Sequence, residues 1–463
     1  MLDRTAIIIM AAGAGTRFKS DKSKLLHDLA GKPAIVYISN LVKNIEPAQS
    51  IFVLSYQKEE IKAAIGEGSG FCFVEQKILN GTAGAVKAAL KELKKGIDRV
   101  LVIPGDTPTI PKELIISLAN QETVVSLVGV KLQEPKGFGR IKTGDKNRVL
   151  SIIEQNDLKN ASPEDSNINM VNTSIYSFKR SFLDENIDKI AMNKDKDEYY
   201  LTDIISIANK QNLDIRCIEH NDAEDLIGPN DKAHFSMIAQ SIWKKRAVKH
   251  ALNGVNIINL DSVYIDEEVT MESDSTIYPN VFITGETSIE KDVTILEGCR
   301  INDSKISKGS IIGPYVFIND SKIGKENKIG PFSYVRPGTE TSKKVKIGGF
   351  VETKKIKVGE GSKIPHLSYV GDAKIGKDVN IGCGVITCNY DGFSKHETKI
   401  GNNVFVGSDT QLIAPVELED DSYVGAGSTI TNTVPSGALA ISRVKQRNID
   451  GYAVKLKAKK SKK

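Results

Sequence analysis

Residues 336–395 hold one histidine, His366, and among their cations are Arg336, Lys354 and Lys395. A histidine is the side chain best suited to accept a proton near neutral pH, and guanidinium and ammonium groups grip phosphates. Tyr369, Asn380, Asn389 and Tyr390 lie in the same stretch. The combination fits a general base acting on a phosphorylated substrate, with His366 able to take the proton. Neighbouring cations are expected to favour the neutral imidazole.

A second group lies near the start. A strand-like run, Ile7–Met10, leads into Ala11, Ala12, Gly13, Ala14, Gly15, Thr16 and Arg17, with Lys24 shortly after. Small residues at the end of a strand let backbone N–H groups approach phosphates. The loop is neither a G-x-G-x-x-G nor a P-loop pattern. Pro104-Gly105-Asp106 follows another apolar run. An Asp in that position can hold a metal with substrate phosphates or cap the next turn. Gly81-Thr82 opens a helix whose N-terminus can receive polar ligand groups.

Two kinds of periodicity must position these residues. Up to about residue 228, apolar runs at 7–10, 51–54, 71–74, 100–103 and 124–127 alternate with helical patterns. One such pattern puts Val86, Ala89, Leu90 and Leu93 on one face. Alternating strands and helices imply a mostly parallel sheet covered on both sides. Residues 231–252 read as a connecting helix with Asp231 as cap and Phe235, Ile238, Ala239 and Ile242 as apolar stripe.

From residue 253 the period changes to six. Ile277, Ile283, Ile289, Ile295 and Ile301 keep it, and Ile400, Val406, Leu412, Leu418, Val424 and Ile430 resume it. Such a beat marks a hexapeptide β-helix, with one inward aliphatic per short strand. Steps of five separate Ile318 from Ile323 and Val370 from Ile375. At roughly eighteen residues per coil, the histidine and its cations fall on three or four adjacent coils. Residues 388–396 lack the beat and are expected to bulge out as a loop.

Taken together, the motifs resemble those of sugar-phosphate nucleotidyltransferases: Ala11-Ala12-Gly13-x-Gly15-Thr16-Arg17, Lys24, Gly81-Thr82, Gly105-Asp106, Gly137–Ile141, Ile153-Glu154, Asn172-Thr173 and Glu198–Asp203. With the β-helix, nearly the whole chain resembles the bacterial bifunctional N-acetylglucosamine-1-phosphate uridyltransferase / glucosamine-1-phosphate N-acetyltransferase family. The resemblance implies a Rossmann-like uridyltransferase domain over 1–228, a linker helix over 229–252, and a left-handed β-helix acetyltransferase domain over 253–463. It implies acetylation of glucosamine 1-phosphate by acetyl-CoA, then uridylyl transfer from UTP to N-acetylglucosamine 1-phosphate with loss of pyrophosphate.

Residue roles follow from the same resemblance. Arg17 and Lys24 neutralise the triphosphate beside Ala11, Ala12, Gly13 and Gly15, while Asp106 and Asn230 hold Mg²⁺. Gln76, Gly81 and Thr82 contact the uracil, and Gly139, Glu154 and Asn172 the sugar. In the second half His366 is the base. Arg336, Lys354 and Lys395 bind phosphate, and Tyr369 and Asn380 the sugar. Asn389, Tyr390, Cys383, Ser408, Ala426 and Arg443 correspond to acetyl-CoA positions, Cys383 through packing. The chain departs from the family pattern at Ser23, Asn80, Ala83-Gly84 and Pro104. A nucleotidyltransferase with a merely structural β-helix, and a non-enzymatic scaffold, are the alternatives.

Composition bounds the rest. The chain has 463 residues, 40% hydrophobic and 26% charged, with five scattered cysteines and a net charge of +5. That is a globular composition of two or three domains, with cysteines that fit no zinc spacing. Its short first apolar run does not suit a signal peptide, and no run suits a membrane span, so a cytoplasmic protein is expected. Six lysines crowd residues 455–463 without interleaved aromatics, which reads as a solvated tail rather than a nucleic-acid site. A homotrimer is implied by the resemblance.

Overall fold

The computed structural model describes residues 2–13, 15–68, 70–193 and 197–460. Ala14, Lys462 and Lys463 lie outside them. The chain divides into two compact units, residues 1–242 and 243–463.

In the first unit the apolar runs form one twisted sheet. Its spatial order is Ile215–His220, Val125–Lys131, Met170–Lys179, Arg99–Pro104, Thr5–Ala11, Gln49–Leu54 and Phe71–Glu75. Neighbours pair parallel, except that Met170–Lys179 runs antiparallel to both Arg99–Pro104 and Val125–Lys131. The mostly parallel expectation therefore holds along these seven strands with one reversed among them. Alternate residues serve opposite faces: Ala6 and Ile8 join one core with Val86 and Ile204, whereas Ile7 and Ile9 join another with Ile35, Ile38 and Ile115. Burial on both faces is why these strands read as unbroken apolar runs.

The helix Thr82–Leu90 ends before Leu93. Leu93 donates to the Leu90 carbonyl at 3.3 Å in a following turn and still packs on the core. Its place on the helical face is thus corrected to a place in that turn. The connecting helix spans Lys232–Leu252, with the Asp231 carboxylate accepting from His234 N at 2.9 Å. Ile238, Ala239 and Ile242 are buried and Phe235 half-buried.

The second unit is built from three ladders of short parallel strands. One is an eleven-stranded sheet from Asn256–Ile257 to Leu439–Ala440, and the other two merge into seventeen strands. Registers such as Ile277↔Ile295 and Ile306↔Ile323 set coils of 18 and 17 residues. The inward aliphatics Ile277, Ile295, Ile312, Ile347, Ile364, Val406 and Val424 belong to one continuous core. Some steps of five lie inside long strands: Glu352–Val358 and Tyr369–Ile375 each run seven residues through a corner.

One coil is larger. Ala373 pairs with Thr398 and Ile375 with Ile400, a spacing of 25. The surplus is the expected ejected loop, although Cys388 still ends the strand Ile386–Cys388, so the excursion starts at Asn389.

Candidate functional sites

In the first unit, a cavity of about 310 Å³ opens at the carboxyl ends of the sheet strands. Arg17, Thr82, Asp106, Gly139, Glu154, Asn172 and Asn230 line it, together with Thr202 and Tyr176. Lys24 reaches it indirectly, because its ammonium pairs with the Asp106 carboxylate. Gly228 lies against Asp106, where a Cβ would come 2.9 Å from the carboxylate, and so brings the segment bearing Asn230 close.

The small residues after the first strand do what close approach requires. Ala11 and Ala12 are buried, and Gly15 has φ +64°, a region open to glycine, with a Cβ site 3.2 Å from Lys24 Cγ. Gly81 has φ +96°, and a Cβ there would meet the Tyr199 carbonyl oxygen at 2.5 Å. That close packing opens the helix Thr82–Leu90. Gln76 is buried beside it and donates to Gly81 O at 3.0 Å and Asn80 Oδ1 at 3.3 Å. Two departures from the family pattern fit each other: a Cβ at Gly84 would overlap the Asn80 carboxamide oxygen.

The far wall carries Glu154 among neutral polar groups. Glu154 accepts from the Thr202 hydroxyl at 2.8 Å, yet burial pushes its carboxyl above the usual range. Asn172 donates to Tyr176 Oη at 2.6 Å and accepts from Ser174 N at 3.1 Å. Ser174 sits at φ +61° where the strand register shifts between Asn172 and Tyr176. Sequence reasoning quoted Thr202 within a motif without singling it out and missed Tyr176. The signal was present, since residues four apart on a strand share a face.

In the second unit, Arg336 and Lys354 follow the inward positions Val335 and Thr353 of neighbouring coils. Arg336 donates to Glu352 at 2.6 Å and lies 5.7 Å over the Tyr334 ring. The ammonium of Lys395 crowds Lys354 and, with Arg336 adding to it, holds the Lys354 pKa below its ordinary value. Arg336 and Lys395 therefore both lie near Lys354. Tyr369 lies beside them, its hydroxyl 3.4 Å from Asn389 Nδ2, and Asn389 also bonds the Asp372 carboxylate. A Cβ at Gly371 would come 2.5 Å from Tyr369 Oη and 2.8 Å from Asn389 Nδ2, so glycine leaves room for the loop to fold back.

His366 stands elsewhere on the coil. It ends the strand Lys363–His366, before the corner, whereas Lys354 pairs with Gly371 after it. The histidine and Lys354 thus belong to different ladders, with Tyr369 opening the next strand after the corner. His366 lies two residues past the inward Ile364. Cys383, Ser408 and Ala426 stand likewise two past Ile381, Val406 and Val424, whose strands are in register. They form one column along the solenoid, and Arg443 closes it by donating to the Ala426 carbonyl. Asn380 occupies the same ladder, opposite Lys363 and Phe405. Tyr390 is exposed and donates to Gly392 O at 2.6 Å.

An α/β unit with a polar cavity at its strand ends, followed by a hexapeptide β-helix bearing a histidine and a cation cluster, defines a two-domain transferase. Family models agree: nucleotidyl transferase matches residues 6–233, the GMPPB C-terminal domain 260–358, and bacterial transferase hexapeptide (six repeats) 397–432. The Bifunctional protein GlmU of Pelobacter propionicus is 38% identical, covering 99% of this chain and 100% of its own. That of Trichlorobacter lovleyi is 37% identical over 97% and 98%. That of Carboxydothermus hydrogenoformans is 38% identical over 96% and 99%. The chain belongs to the bifunctional GlmU family, with a nucleotidyltransferase domain and a hexapeptide acetyltransferase domain. Its substrates are small molecules: a nucleotide, a sugar phosphate and an acyl-CoA. Among the described residues no helix is long and apolar enough to cross a membrane.

Proposed function

We propose that the second unit acetylates glucosamine 1-phosphate from acetyl-CoA and that the first joins the product to UTP, releasing pyrophosphate. The observation that carries the first half is the convergence of Arg336, Lys354 and Lys395 beside Tyr369, with His366 on the strand just before the corner that leads to Tyr369. The cations hold the sugar phosphate. Tyr369 and Asn380 orient the ring so that its amine faces His366. The imidazole removes the ammonium proton, the nitrogen attacks the thioester carbonyl, and coenzyme A thiolate leaves and is protonated. Cys383, Ser408, Ala426 and Arg443 offer a track for acetyl-CoA leading to His366, with Asn389 and Tyr390 near the reacting groups.

In the first unit Arg17 and Lys24 would neutralise the triphosphate beside Ala11, Ala12, Gly13 and Gly15. Gln76, Gly81 and Thr82 would take the uracil, and Gly139, Glu154 and Asn172 the sugar. Asp106 and Asn230 suit a Mg²⁺ ion. They share the cavity, and one carboxylate with one amide leaves room for the phosphate oxygens and waters this ion prefers. When bound, the ion neutralises phosphate charge as the in-line displacement proceeds.

The reading includes a homotrimer and a cytoplasmic location, where UTP and acetyl-CoA are made. In support of assembly, Tyr315, Phe332 and Phe350 stack in an exposed column, 5.3 Å between ring centroids, and exposed Leu367 follows next to His366. The test is thiol release from acetyl-CoA with glucosamine 1-phosphate, comparing wild type with His366→Ala. Release that needs the sugar and collapses in the variant supports the reading. A folded wild type that releases no thiol overturns it.

A further inference from the structure

The loop that carries Lys395 is closed by contacts that the proposed chemistry does not itself need. Asp391 Oδ1 accepts from Phe393 N at 2.8 Å and Ser394 N at 2.7 Å, and its Oδ2 faces His396 Nε2 at 2.7 Å. His396 N donates to Asn389 O at 2.9 Å, Asp391 N to Ser394 O at 3.2 Å, and Tyr390 bridges Lys395. Both chain neighbours of Lys395, Ser394 and His396, are therefore tied to the Asp391 carboxylate. The loop base is tied through Asn389 to Asp372 and Tyr369 of the coil. Beyond these ties the loop is open to solvent, and Phe393 is 94% exposed.

We infer that the Asp391–His396 pair is a clasp that holds Lys395 against Lys354 and Arg336, making both residues positioning residues for the sugar phosphate. The inference rests on the proposed acetyl transfer. Like charges repel, so a flexible lysine beside Lys354 and Arg336 swings into solvent unless its backbone is held. Here the backbone is held on both sides of Lys395. The substrate then meets three cations already converged and does not have to gather the third. Asp391 is suited to this, because a carboxylate can accept several hydrogen bonds at once. The two N–H donors and the imidazole hold that carboxyl far below its ordinary pKa, so it stays ionised.

The test is His396→Ala, in the full chain, with His396→Gln as the variant that can still donate to Asp391. In His396→Ala, KM for glucosamine 1-phosphate is expected to rise roughly tenfold, a loss expected for one misplaced charged contact. kcat and KM for acetyl-CoA should stay within about twofold, because the His396 ring touches neither reacting group. His396→Gln should recover most of the loss, and uridylyl transfer should be unchanged in both. The same order should appear in the dissociation constant of glucosamine 1-phosphate measured by calorimetry, which needs no turnover. Wild type that binds the sugar phosphate but does not acetylate it overturns the acetyl-transfer reading, and the binding constants still judge the clasp. Equal affinity in wild type and His396→Ala overturns the clasp, as does a loss that His396→Gln fails to restore.

Discussion

Lys24 and Asp106, 82 residues apart, form an ion pair at the mouth of the first unit's cavity, each about one-fifth exposed. The two residues were expected to serve opposite partners, a polyphosphate and a divalent cation. Paired, they satisfy each other. On the proposed function, entry of a metal–nucleotide complex would offer each a stronger partner and let them separate without leaving a lone charge.

Asp106→Asn should therefore lower uridylyl transfer by about a hundredfold, the scale of losing one electrostatic stabiliser. Acetyl transfer in the second unit should be untouched. Adding a chelator to the wild type should reproduce the pattern. A chelator that stops both activities equally, or neither, would contradict the assignment of the metal to this cavity.

Glu154 gives a prediction with a sign. Burial raises its folded pKa above the unfolded value, against the opposing Thr202 hydrogen bond. The folded state then binds more protons than the unfolded one between the two pKa values. Stability falls as pH rises through that window, and the deficit is complete above the folded pKa. Glu154→Gln should thus melt higher than wild type at neutral pH, with the gap closing as pH drops below the carboxylate range. Uridylyl transfer should weaken in the same variant. A gap that persists at acid pH would sink this account.

Asn80 and Gly84 occupy one space, since a Cβ on residue 84 collides with the Asn80 carboxamide that receives Gln76. Gly84→Ala should displace Asn80, leave the Gln76 amide with Gly81 O alone of its two acceptors and raise KM for UTP. Asn80→Leu should have its own effect. If the two positions act as one unit, the double variant should cost less than the sum of the singles, by a coupling of about 1 kcal/mol. Simple additivity in a double-mutant cycle would show that they are independent.

Much of this was legible in the chain. The six-residue beat gives the solenoid directly, because each inward aliphatic of a coil must pack on the next, as Ile277, Ile295 and Ile312 do. Strands buried on both faces were equally plain. The reversal of Met170–Lys179 was not, since a buried strand looks the same in either direction. Nor was the clasp legible, because Asp391 and His396 meet only after the loop turns. The separation of His366 from the cations was hidden for a related reason. Spacing along the chain fixes which coil a residue joins, whereas the corner at Leu367 and Ser368 decides which ladder it reaches.

The cation cluster itself carries the last prediction. Lys395 and Arg336 hold the Lys354 pKa below that of an ordinary lysine. In the free enzyme Lys354 therefore loses its charge at a lower pH than an ordinary lysine does. The alkaline limb of kcat/KM for glucosamine 1-phosphate, which reports groups of the free enzyme, should begin below the usual lysine range. Lys395→Ala removes the largest cause of the shift. It should lower kcat/KM at neutral pH, because a phosphate contact is gone, yet move the alkaline limb upward, because Lys354 then keeps its proton longer. Lys354→Ala should lower kcat/KM and abolish the Lys354 limb altogether. A limb that stays in place in Lys395→Ala would mean that the two ammonium groups do not sense each other in solution.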